Sequence, residues 1–111
     1  PIYKPGQAIT LAASATITGG QLVEVTGSGT VGPAGAASVK VVGVAAFDAV
    51  NGDNVTIFAG GVQSVLASGA VTAGAVVQAG ASGTVAAGTT APIGIALTTG
   101  TDVVVRVQMA R

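Results

Sequence analysis

Between Gln21 and Thr26 apolar and polar side chains alternate, so that Leu22, Glu24 and Thr26 point one way and Val23 and Val25 the other. The same period runs from Asp102 to Met109, with Val103, Val105 and Val107 on one face and Val104, Arg106 and Gln108 on the opposite one. Such alternation predicts half-buried strands, with Val23 on the core side of the first. Further extended runs are expected at Ala8–Ala12, Thr30–Val31, Ser38–Phe47, Asn54–Ala59, Val62–Ala67, Ala75–Ala79, Thr84–Ala86 and Ile93–Thr98. Gly-rich turns separate them, among them Gly27-Ser28-Gly29, Asn51-Gly52-Asp53, Gly60-Gly61 and Gly88-Thr89-Thr90. Asn51-Gly52 predicts a type I′ hairpin turn, and Gly60-Gly61 a second hairpin. No segment keeps a helical period, and the alanine-rich stretches are too interrupted by glycine to form helices. The expected class is all-β, a sandwich or small barrel of about nine or ten short strands.

A shortened copy of Gly19–Ile57 returns between Ala73 and Arg106. Gly29-Thr30-Val31 meets Gly83-Thr84-Val85, Gly43 meets Gly94, and Asp53 meets Asp102, all in the same order. Two copies are too few for a solenoid, so the chain reads as one domain with internal pseudo-symmetry. Residues 8–111 form this β domain, with the pseudo-repeat at 19–57 and 73–106. Residues 1–7, with prolines at Pro1 and Pro5 and no periodicity, read as an extended N-terminal arm. A glycine inside a strand marks a bulge or a close backbone approach, and the recurrence of Gly43 as Gly94 points to such a geometric role.

Composition narrows the function. Half the residues are apolar, but alanine and valine dominate and the aromatics are only Tyr3, Phe47 and Phe58. Small side chains bury little area per residue, at ~25 cal/mol per Å², and 18 glycines raise the entropy cost of ordering the chain. Part of the stability is therefore expected from association with another surface. Only 7% of residues are charged and the net charge is zero. With no basic cluster, neither nucleic acid nor an anionic membrane is an expected partner. No apolar run reaches the ~20 residues of a spanning helix. No leader pattern opens the sequence and Pro1 reads as a mature N-terminus, which predicts synthesis in the cytoplasm.

The reactive inventory is short. There is no Cys and no His, so thiolate and imidazole chemistry is excluded. Gly27 to Gly32 spells G-x-G-x-x-G, but Pro33 and Gly35 follow where a dinucleotide site needs a helix, so the stretch reads as a hairpin turn. Asp53 and Asp102 each follow a Gly-containing turn and are expected to cap it through local bonds. Glu24 is expected on the solvent face and Lys40 to be solvated. Asp48, Asn51, Asp53 and Asn54 lie close together, but not at the spacing of a known calcium loop. No catalytic, cofactor or metal-binding residue is expected.

The segments YKPGQAITLAASATITGG, GQLVEVTGSGTV, VVGVAAFDAVNGDNVTIF and GIALTTGTDVVVRVQM together resemble the capsid cement, or head decoration, family of tailed bacteriophages. The resemblance covers nearly the whole chain. It implies a non-enzymatic virion protein that binds the outer surface of an icosahedral head and bridges neighbouring capsomers. The implied partners are the major capsid protein and further copies of the chain, commonly as a homotrimer. The arm, comprising Pro1, Ile2, Tyr3, Lys4, Pro5, Gly6 and Gln7, is the expected capsid-binding element, adding a strand to a capsid sheet. A receptor- or carbohydrate-binding module of a fibre or cell surface is the alternative, disfavoured by the shortage of aromatics to stack on sugar rings.

Overall fold

Leu22 and Val23 are consecutive residues of one strand and must face opposite ways, yet both are fully buried. The first half of the chain closes a barrel around Val23, and the second half covers that barrel from outside, over Leu22. The computed structural model describes residues 7–109. Its strands are β1 (Gln7–Ala13), β2 (Leu22–Gly27), β3 (Thr30–Pro33), β4 (Val41–Ala45), β5 (Asn54–Ala59) and β6 (Gly61–Leu66). They continue with β7 (Ala70–Val71), β8 (Val76–Ala79), β9 (Val85–Ala87), β10 (Pro92–Ala96), β11 (Gly100–Thr101) and β12 (Val104–Met109). A 3-10 turn at Ala81–Gly83 precedes β9. The fold is all-β. Two strands beyond the expected number, β7 and β11, are two residues long and too short to leave a pattern in the sequence.

The barrel closes in the order β1-β3-β2-β4-β5. β5 returns antiparallel along β1, from Gln7 opposite Ala59 to Ala12 opposite Asn54, and β1 runs parallel to β3 at Ala13 and Val31. Ala13, Ile17, Val23, Val31, Val55 and Ile57 fill its interior. The second half forms a sheet in the order β6-β12-β10-β8-β9, and a parallel bridge from Ala67 to Val85 brings its two edges together. Its interior cluster includes Val77, Val85, Ile93, Val105 and Val107, joined by Leu22, Ala34, Val41 and Val44 from the outside of the barrel.

One pairing order serves both halves. The sequence β1-β5-β4-β2-β3 has its match in β6-β12-β10-β8-β9, down to single hydrogen bonds. Ser14 N–H donates to Val31 O at 2.8 Å and Ser68 N–H to Val85 O at 2.7 Å; Gly20 N–H reaches Ala45 O and Gly74 N–H reaches Ala96 O, both at 2.8 Å. Ala13 N–H donates to Asp53 O, and Ala67 N–H to Val103 O. These bonds set Asp53 against Val103 and Gly52 against Asp102, one residue away from the correspondence expected from the sequence. The matching pairs also extend beyond the expected limits of the repeat, starting at β1 and β6.

The two glycines inside strands sit where expected of a close approach. A Cβ on Gly43 would collide with the carbonyl oxygen of Phe58, and one on Gly94 with that of Gln108. Both lie beside register shifts, between β2 and β4 and between β8 and β10. Two turn expectations are corrected. Of Asn51 and Gly52, only Gly52 has a positive φ, so the turn is not type I′; it ends a longer connection that bridges Ile17 to Ala49. Gly60 and Gly61 both have positive φ, but β5 and β6 do not pair: the chain leaves the barrel there and enters the other sheet.

Candidate assembly surfaces

β12 keeps its alternation, burying Val105, Val107 and Met109 while Val104, Arg106 and Gln108 face out. A solvated sheet would carry polar groups along its outer face. Here a row across four strands reads Val62, Gln108, Ile95 and Val76, each directly opposite the next, and all four are exposed. A second cross-strand pair, Leu66 with Val104, is also exposed, and Arg106 lies between the two sets opposite Ser64. Leu97, whose N–H donates to Arg106 O at 2.7 Å, adds a further exposed apolar side chain. The sequence reading missed this surface. Its signal was present in valine, leucine and isoleucine at positions where strand alternation calls for polar residues.

A groove of about 250 Å³ lies beside this face, between the two halves, with Gly20 and Gln21 on one wall and Leu66, Ser82 and Val104 on the other. Gln21 spans the junction. Its Oε1 accepts the N–H of Thr18 at 2.8 Å and its Nε2 donates to Ser82 O at 2.9 Å. Nearby, Gly83 N–H donates to Ala34 O and Ala37 N–H to Ala79 O, each at 2.8 Å. The loop that supplies Ala34 and Ala37 is held by Glu24, which is half-buried rather than on an open solvent face. Hydrogen bonds from the Ser38 hydroxyl and the Gly35 N–H, with the charge of Lys40 nearby, hold the Glu24 carboxyl below its usual range, while partial burial acts the other way.

The remaining acids serve turns. Asp48 Oδ1 accepts the N–H of Gly19 at 2.7 Å, and Asp53 Oδ2 that of Val50 at 3.4 Å. Asp102 does not cap its own turn: its Oδ1 accepts the N–H of Gly69, at 2.7 Å, on a distant one. Asp48 and Asp53 line a second groove with Thr16 and Thr18, but no group of three or more potential metal-ligating residues occurs among the described residues. The G-x-G-x-x-G stretch is the β2–β3 hairpin, with Gly29 at positive φ. Lys40 is exposed. Of the expected arm, Pro1–Gly6 lie outside the described residues, and Gln7 belongs to β1, where it pairs with Ala59. No helix among the described residues is long and apolar enough to cross a membrane.

The second sheet thus presents an outer face of mostly apolar side chains around Arg106, beside a barrel whose acids bond to backbone N–H groups of turns and loops. The family model described as phage cement protein matches residues 3–109. The chain belongs to the phage cement protein family. As a cement-family member it is a structural protein of the phage virion. No curated protein sequence matches it. Among solved structures, it is similar to the head fiber gp8.5 N base of bacteriophage phi29, with a TM-score of 0.76 at 17% identity, covering 94% of this chain and 93% of that one. At that identity the likeness concerns the fold. This chain thus has its fold in common with a head-fiber base.

Proposed function

We propose that this chain binds the outer surface of an icosahedral phage head and stabilises it by bridging neighbouring capsomers. The observation that carries the reading is the family match over residues 3–109. The broad apolar face of the second sheet supports it, since a lattice protein works through many modest contacts whose avidity multiplies. The head-fiber base of similar fold agrees with a place on the phage head. In this reading the partners are the major capsid protein and further copies of the chain, with a trimer as the expected assembly. Residues 1–7 supply the capsid-binding arm, its last residue already part of β1. The role is non-enzymatic and needs no cofactor, nucleic acid or membrane.

The test is co-sedimentation with undecorated, expanded heads. Saturable binding at a fixed ratio to capsid subunits, with a raised rupture temperature of the heads, is the expected result. Binding to glycans or cells with no affinity for heads would replace this reading with the receptor-binding one.

A further inference from the structure

The junction inside the chain is made of a face and a turn. The face is the outer side of β2 and β4, where Leu22 and Val44 are 0% and 3% exposed because the second half covers them. The turn is Ala81–Gly83, whose Gly83 sits so close that a Cβ on it would lie 2.7 Å from Gln21 Cβ. The matching pair order gives each a counterpart. Val23 opposite Gly43 corresponds to Val77 opposite Gly94, so Leu22 and Val44 correspond to Val76 and Ile95. These are 37% and 46% exposed. Gly83, at φ +77°, corresponds to Gly29, at φ +74°, in the exposed β2–β3 turn, where a Cβ would meet nothing within 4 Å.

Each chain thus carries one joined face and turn, one open face on β8 and β10, and one open turn at Gly27–Gly29. We infer that a second copy of this chain docks head to tail, its Gly27–Gly29 turn against the Val76 and Ile95 face of the first, repeating between chains the junction that already joins the two halves of one chain. Continuity with that junction is what selects a second copy as the occupant. Chemistry agrees, because neither Val76, Pro92 and Ile95 on one side nor Gly27, Ser28 and Gly29 on the other carries a charge. Such a heterologous contact closes into a ring or runs on as a filament, according to the rotation it imposes. Alanine at 75 stands where Gln21 clamps the internal junction, so the contact between chains lacks that pair of bonds and is reversible. The inference gives the self-association within the proposed function its surfaces, but it does not depend on capsid binding.

Sedimentation velocity of the purified chain, with no heads present, tests it. The wild type is expected to form species larger than the 10.3 kDa monomer as concentration rises. Ile95→Lys blocks the face and Ser28→Glu blocks the turn, so each variant alone is expected to stay monomeric, with an unchanged thermal midpoint because both sites are exposed. Mixed, they are expected to form dimers and nothing larger, since each variant lends its one intact surface. Val76→Lys is a second face variant should Ile95→Lys fold poorly. A wild type that stays monomeric throughout overturns the inference and leaves head binding to be judged by its own assay. Ser28→Glu assembling alone, while Ile95→Lys does not, also overturns it, because that pattern means two faces meet each other.

Discussion

The carboxamide of Gln21 donates to the carbonyl oxygen of Ser82 at 2.9 Å, joining residues on the two halves of the chain. The same side chain accepts the Thr18 N–H, so its truncation frees a donor and an acceptor at one junction. Gln21→Ala is expected to cost about 1 kcal/mol, a fall of roughly 5 °C in Tm for a domain of this size. Thermal unfolding followed by circular dichroism checks it. An unchanged Tm would mean that the junction rests on apolar burial and the backbone bonds of Gly83 and Ala37.

Gly43 and Gly94 face carbonyl oxygens with no room for a methyl group. Gly43→Ala and Gly94→Ala should each destabilise by about 1–3 kcal/mol, the usual range for forced overpacking. Denaturant midpoints measure this. Gly35→Ala, where a Cβ meets nothing within 4 Å, is the matched control and should be near neutral.

Asp102 combines a bond to Gly69 N–H with a φ of +53°. Asp102→Ala loses the bond and places alanine in a left-handed conformation, for a loss of about 2 kcal/mol. Asp102→Gly loses only the bond and should be milder. Asp48→Ala, which removes a single bond to Gly19 N–H without a positive φ, should cost about 1 kcal/mol. The order of the three midpoints is the readout.

Glu24 is held below its ordinary value of 4.5 by Ser38, Gly35 and Lys40. A carboxyl with a depressed folded-state pKa adds stability that is fully present above its unfolded value and is lost as pH falls through the folded one. Stability should therefore decline from about pH 4.5 downward, in the window where Glu24 takes up a proton. Glu24→Gln should flatten this part of the pH profile. The protection factor of the Gly35 amide, its exchange relative to the free-peptide rate at the same pH, should fall over the same window, because its N–H donates to Glu24.

Deleting Pro1–Gly6 should weaken co-sedimentation with heads and leave the far-ultraviolet spectrum and Tm unchanged, since both cores and all the described strands lie within residues 7–109. Unaltered head binding would remove the arm from the proposed function.

The all-β class, the outward and inward sides of β12 and the close approaches at Gly43 and Gly94 were legible because each depends on local pattern: period two, or a missing Cβ inside a strand. The destination of Gly60-Gly61 was not. Two glycines at positive φ make a tight reversal whether the next strand pairs with the last one or enters another sheet, and only long-range pairing chooses. The one-residue offset between Asp53 and Asp102 was hidden for a similar reason: similar residues on either side of a turn align equally well until the backbone bonds of Ala13 and Ala67 fix the register.

Leu22 and Val76 mark where the sequence stops deciding. Both are apolar, both open a strand, and both stand beside a valine that is fully buried inside its own half, Val23 in one case and Val77 in the other. The sequence by itself determined that each strand has two faces and which residues share a face. Only the tertiary structure decided that the outer face at Leu22 is covered while the one at Val76 is open. Burial of an outer face is a property of what lands on it, and alternation along one strand carries no information about a partner that arrives from elsewhere in the chain.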